Sequence, residues 1–128
     1  MSKQYRIFTS FAIEAVRLRD FLVQQGRDER SPFSFVDMSV KEPWDSAWKT
    51  KCRTKIRGCD GVIGIVTSNT ARAEGQLWEL RCAYDEGKPV LLIYGHRDGR
   101  PGSLPDPING RRVLNWTWAN IANFLDRL

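Results

Sequence analysis

Histidine is nearly missing from this chain: among 128 residues there is one, His96, beside three cysteines, Cys52, Cys59 and Cys82, none in a Cys-x-x-Cys pair. An odd set of thiols argues against a disulfide framework, and a single imidazole argues against a structural zinc site. Long apolar runs are missing too. No stretch approaches the ~20 residues needed to cross a bilayer, and Met1-Ser2-Lys3-Gln4-Tyr5 lacks the apolar centre of a signal peptide. The expectation is a soluble, cytoplasmic protein without a metal.

What is present fits one domain spanning residues 1–128, with 41% hydrophobic and 27% charged residues, enough to bury roughly two-thirds of the unfolded surface. Twenty Lys and Arg against fifteen Asp and Glu leave a net charge of +5, which favours an anionic partner without naming one. Nucleic acid is an unlikely choice. It rests only on this charge and on Arg97, Arg100, Arg111 and Arg112, and no aromatic residues interleave the basic stripe Lys49, Arg53 and Arg57.

Along the chain, strand and helix patterns alternate. Gln4 to Ser10 reads as a first strand. Ala12 to Gln25 carries Ile13, Val16, Leu18, Phe21 and Leu22 near the helical period and meets a stop at Gly26. Phe33 to Met38 reads as a second strand, and Pro43 opens a helix whose Trp44, Trp48, Cys52 and Ile56 are spaced by four. Gly61 to Val66 is a β-branched run suited to a strand buried on both faces. A helix over Glu74 to Glu86 stops at Gly87, and Val90 to Tyr94 is another buried strand. Gly95 to Gly110, dense in proline and glycine, is loop; Val113 to Trp116 reads as a short last strand and Thr117 to Leu128 as a closing helix. The order predicts an α/β, flavodoxin-like three-layer fold: a parallel sheet of about five strands with helices on both faces. In such sheets ligands bind beyond the carboxyl ends of the strands where strand order reverses, which singles out Ser10, Phe11 and the turn Thr67 to Thr70.

Three common uses of this architecture fail at the first strand–helix junction. A receiver domain needs an acidic pair there, a flavodoxin a Ser/Thr/Gly-rich phosphate loop, and a dinucleotide-binding unit Gly-x-Gly-x-x-Gly; the chain offers Thr9-Ser10-Phe11-Ala12-Ile13. Attention moves to Glu79. On a helical wheel Arg81 and Asp85 mark the solvent side, whereas Glu79 points away from it, between Trp78, Cys82 and Ala83. A carboxylate placed there either meets a partner such as Arg72 or a backbone donor, or is kept for a ligand.

The stretches Tyr5 to Phe11, Phe35 to Pro43, Trp48 to Ile63 and Trp78-Glu79-Leu80 through Glu86-Gly87-Lys88-Pro89-Val90 together resemble the TIR-like family that includes the Thoeris anti-phage proteins. The resemblance covers most of the chain up to Ile93 and implies a TIR fold. In enzymatic members it implies cleavage of NAD between nicotinamide and ribose, by hydrolysis, cyclisation or transfer, yielding a nucleotide signal read by a separate effector. It also implies NAD as substrate rather than bound cofactor, and a homo-oligomer as the active form. Glu79 matches the family's catalytic glutamate. The chain departs from the pattern in the weakly polar Ala12-Ile13-Glu14 and in the lead Gly75-Gln76-Leu77 before Trp78.

A single acid suffices for such chemistry, because the departing ribose is oxocarbenium-like and nicotinamide leaves neutral. Ser10 and Phe11 are then candidates for holding a pyrophosphate and a base; Asp37 and Ser39 for bordering the pocket; Trp44 and Trp78 for facing or stacking on substrate; and Asn69 and Thr70 for hydrogen bonding. Trp48 is read as core, and His96 as an ordinary loop histidine. Two rivals are carried forward. One is a nucleoside 2-deoxyribosyltransferase or nucleotide N-glycosidase, which also joins a flavodoxin-like sheet to a helix glutamate. The other is a TIR-like interaction module in which Glu79 is only structural.

Overall fold

The computed structural model describes residues 5–128, so Gln4, the expected start of the first strand, lies outside the described residues. Four strands, β1 (Tyr5–Ser10), β2 (Phe33–Val36), β3 (Gly61–Val66) and β4 (Val90–Tyr94), alternate with three helices, α1 (Val16–Asp28), α2 (Ser46–Arg57) and α3 (Glu74–Asp85). A fourth helix, α4 (Trp118–Asp126), follows the long loop.

All pairings are parallel, in the order β2-β1-β3-β4. The chain steps from β1 outward to β2, then crosses back over β1 to β3. With right-handed crossovers those opposite steps put α1 on one face and α2 and α3 on the other. The packing follows suit. Phe8, Val62 and Leu92 meet Trp48, Cys52 and Ile56 of α2 and Leu80 and Ala83 of α3. Ile7, Ile63, Ile65, Leu91 and Ile93 meet Leu22 of α1 and Ile121, Phe124 and Leu125 of α4. β3 is buried over its whole length, and each large apolar side chain so enclosed contributes roughly 1.5–3 kcal/mol.

The sheet has four strands, where about five were expected. Of Val113 to Trp116 only Leu114 pairs, in a single parallel bridge to Ile93. Its amide donates to the Leu92 carbonyl (2.9 Å) and its carbonyl accepts from Tyr94 (3.0 Å). The ladder goes no further because Trp116 is drawn toward α1, its indole Nε1 donating to Gln25 Oε1 at 2.8 Å.

Helix boundaries shift for local reasons. Gly26 does not stop α1. It lies inside the helix, where a Cβ would stand 3.1 Å from the Phe35 ring, so its bareness lets β2 come close. The first turn of the expected helix is a separate 3-10 turn, Ile13–Ala15. α2 starts at Ser46, not Pro43, because Asp45 accepts a hydrogen bond from the Trp48 amide (2.9 Å) and caps the helix. Trp44 therefore falls outside the apolar stripe and is 74% exposed. α4 is shorter than Thr117 to Leu128, with Thr117 accepting from the Asn120 amide as its cap. Among the described residues no helix is long and apolar enough to cross a membrane. Cys52, Cys59 and Cys82 are free and buried.

Candidate active site

Alternation along β1 turns Phe8 and Ser10 toward α2 and α3, and Ile7 and Thr9 toward the other face. Ser10 is also the last residue of β1, beside the gap where β1 and β3 send their chains to opposite faces. α3 is fastened over this gap by Gln76, whose Nε2 donates to the Ser10 carbonyl (3.2 Å) and the Ile65 carbonyl (2.8 Å). Gly64 makes the close seating possible: a Cβ there would lie 3.0 Å from Leu80 Cδ2 and 2.9 Å from Leu92 Cδ2. One turn after Gln76, on the same stripe of α3, stands Glu79.

Glu79 is 0% exposed. Its Oε1 accepts from Ser10 Oγ at 2.9 Å, and its Oε2 accepts from Lys41 Nζ at 2.7 Å. Lys41 arrives from the loop between β2 and α2. Its stem crosses Gly75, where a Cβ would stand 2.8 Å from Lys41 Cβ, and its ammonium lies 4.0 Å from the centre of the Phe11 ring. The loop is held in place from the core side, since the Trp48 indole donates to the Val40 carbonyl (2.6 Å) and Lys55 Nζ to the Asp37 carbonyl (3.0 Å). Burial pushes the Glu79 carboxyl up to about 7; Lys41 and the Ser10 hydroxyl pull it back down only in part, and the Asp37 charge adds to the rise.

Next to this group, and sharing Lys41, Gly75 and Gln76 with it, is a cavity of about 260 Å³ also lined by Trp44 and Arg72; Glu79 itself is not part of its lining. Two large apolar side chains border the cavity, Ile13, which is 49% exposed, and Trp44, the most exposed large apolar residue described, together with the charged Glu14, Arg72 and Glu74. Gln76 Oε1 is buried without a hydrogen-bond partner among the described residues, so this wall holds one unused acceptor.

The structure brings Ser10 to Glu79, sets Phe11 under Lys41 and puts Trp44 at the mouth. Phe11 is fully buried, and the ammonium covers its ring, so no base reaches it in this arrangement. Asp37 is engaged by Arg19 Nη1 at 2.8 Å, and Ser39 lines a different hollow beside α2. Trp78 packs edge-on to Trp48 (5.5 Å) with the Arg53 guanidinium over its ring (5.5 Å), and it is not among the residues that line the cavity. The Thr67 to Thr70 turn closes on itself: Thr70 Oγ1 accepts from the Thr67 amide, Thr67 Oγ1 from the Asn69 amide, and Asn69 Oδ1 from Arg72. Arg72 is thus not the partner of Glu79; Lys41 is.

Lys41 and Gln76 were not singled out in the sequence. Gln76 had a signal, lying three residues before Glu79 and so on the same helical stripe. Lys41 had none, because a loop residue 38 positions away shows no periodicity linking it to α3. Among the described residues no group of three or more His, Cys, Asp or Glu is arranged to hold a metal ion. No family model matches the chain, and no curated protein matches it in sequence.

Proposed function

We propose that the chain is a TIR-like enzyme that cleaves NAD at the bond between nicotinamide and ribose, with Glu79 as the carboxylate that faces the ribose. One observation carries this reading: a fully buried glutamate is fixed by Ser10 and Lys41 at the point where strand order reverses, and its partner Lys41 lines a neighbouring cavity. Trp44 offers a flat apolar surface at the mouth for the nicotinamide ring. At about 260 Å³ the cavity is smaller than the roughly 300–1,000 Å³ usual for ligand sites. It suits the nicotinamide–ribose end, with the remaining ADP portion lying outside.

In the reaction the C1′–N bond breaks and its electron pair stays on the ring nitrogen, so nicotinamide leaves neutral. The anionic Glu79 stabilises the oxocarbenium-like ribose and accepts hydrogen bonds from its hydroxyls, replacing those it accepts from Lys41. Water, or a group on the same or another nucleotide, then adds at C1′ and releases a proton. Lys41 has to leave the carboxylate for this to happen. Following the resemblance, the product is a nucleotide signal in anti-phage defence, and the working form is an assembly of copies.

The complete burial of Glu79 and its pairing with Lys41 also favour a second reading, an interaction module in which the acid is a satisfied structural group. Wild type and Glu79→Gln, incubated at high protein concentration with NAD and, in parallel, with deoxynucleosides, separate the readings by mass spectrometry. The NAD reading expects free nicotinamide from wild type and a loss of roughly 100-fold or more in a folded Glu79→Gln. Base release from deoxynucleosides instead assigns the site to the nucleoside chemistry, and concentration-dependent association without turnover assigns it to the module.

A further inference from the structure

Beyond the Glu79 site, a second cavity of about 480 Å³ opens at the carboxyl end of β4, between the start of the long loop and the segment leading into α4. Its charged lining is of one sign. Arg97 and Arg100 border it together with His96, and among the described residues no carboxylate does. Three other hollows differ: the one at the open edge of β2 sets Asp20 and Asp37 against its arginines, the one beside α2 sets Glu42 and Asp45 against its lysines, and the one beside Lys41 has Glu14 and Glu74. Asp98, between the two arginines in sequence, is exposed and outside the lining.

Arg100 is held in position before any ligand arrives. Its Nη2 donates to Asn115 Oδ1 at 2.7 Å, and its guanidinium lies 4.2 Å from the centre of the Tyr94 ring. One guanidinium edge of Arg100 and the exposed side chain of Arg97 border the same cavity and are left for an anion, and guanidinium groups suit phosphate oxygens. The start of α4 at Thr117 borders the same space and adds the positive end of the helix dipole. Arg111 has a different duty, stacking on Tyr84 at 3.5 Å and donating to the Pro107 carbonyl. Arg100 and Arg111 therefore serve different partners, although both are exposed.

We infer that the cavity at the end of β4 is a binding site for a diphosphate or triphosphate group of the kind nucleotides carry, gripped by Arg97 and Arg100. The site stands apart from the Glu79 site and does not rest on the NAD reading. Calorimetric titration with inorganic pyrophosphate and with ATP tests it on wild type, Arg97→Gln, the Arg97→Gln/Arg100→Gln double variant and Glu79→Gln. Binding weakened roughly tenfold by each arginine lost, reduced by added salt and unaltered in Glu79→Gln is the expected result. Arg97→Gln guards against a folding artefact, since among the described residues Arg97 makes no hydrogen bond or ring contact of the kind that ties Arg100 to Asn115 and Tyr94. Absence of binding to wild type, affinity unchanged in the folded double variant, or affinity lost in Glu79→Gln would each overturn the assignment.

Discussion

Two glutamates, Glu79 inside α3 and Glu86 at its carboxyl-terminal cap, meet cations and respond in opposite directions. Glu86, at the carboxyl end of the helix, accepts from Arg53 (3.0 Å) and Arg57 (2.8 Å), and the Arg53 hydrogen bond leads in holding its carboxyl below the usual range. Glu79 has a cation just as close, Lys41 at 2.7 Å, yet its carboxyl is raised to about 7. The difference is water. Near solvent the charged form of Glu86 keeps its hydration and gains its partners, whereas at Glu79 the loss of hydration exceeds what one ammonium and one hydroxyl return. Proximity to a cation does not by itself lower a carboxyl, because burial can outweigh the pairing.

Removing the cation from the buried pair has the largest expected effect. Lys41→Met, unfolded in urea at pH 8, loses roughly 3–5 kcal/mol, because an unpaired charge is left in the core. The deficit shrinks at pH 5, where Glu79 holds its proton, and adding Glu79→Gln restores most of the stability. An equal loss at both pH values would contradict burial as the cause.

The pH dependence of wild type measured against Glu79→Gln comes next. Because the folded state keeps the Glu79 proton above the pH at which the unfolded chain releases it, stability falls as pH rises from about 4.5 to about 7, by roughly 3 kcal/mol. Glu79→Gln lacks this fall. Glu86 contributes with the opposite sign: its lowered carboxyl adds stability above the usual carboxylate range that is lost on acidification.

A third test moves Lys41 without removing it. Gly75→Ala sets a methyl 2.8 Å from Lys41 Cβ and 3.2 Å from its Cγ, backbone-near atoms that cannot swing aside. It should cost roughly 1–3 kcal/mol and loosen the ammonium from Glu79, readable as a changed Glu79 titration. Smallest of all is Glu86→Gln, which should barely shift the melting temperature at neutral pH, since Arg53 and Arg57 remain hydrated without it.

Where an element is decided by its own residues, the sequence was readable. The β-branched run Gly61–Val66 and the apolar run Val90–Tyr94 are the buried strands they were expected to be, and the helical wheel turned Glu79 inward, where it lies. Misjudged positions were settled by distant partners. Gly26 reads as a stop until Phe35 is seen against it; Trp44 reads as stripe until Asp45 is seen capping α2; and Val113 to Trp116 reads as a strand until Gln25 is seen holding Trp116. The site divides in the same way. Glu79 and Ser10 were legible from helical period and strand end, but the ammonium that neutralises Glu79 comes from a loop with no pattern of its own.

That burial outweighs pairing at Glu79 is tested most directly by a carboxyl carbon NMR titration of glutamate-labelled protein, with the resonances assigned by Glu79→Gln and Glu86→Gln. The expected result is a midpoint near 7 for Glu79 and one below the ordinary 4.5 for Glu86 in the same sample. A Glu79 midpoint at or below 4.5 would contradict it and leave an ordinary ion pair.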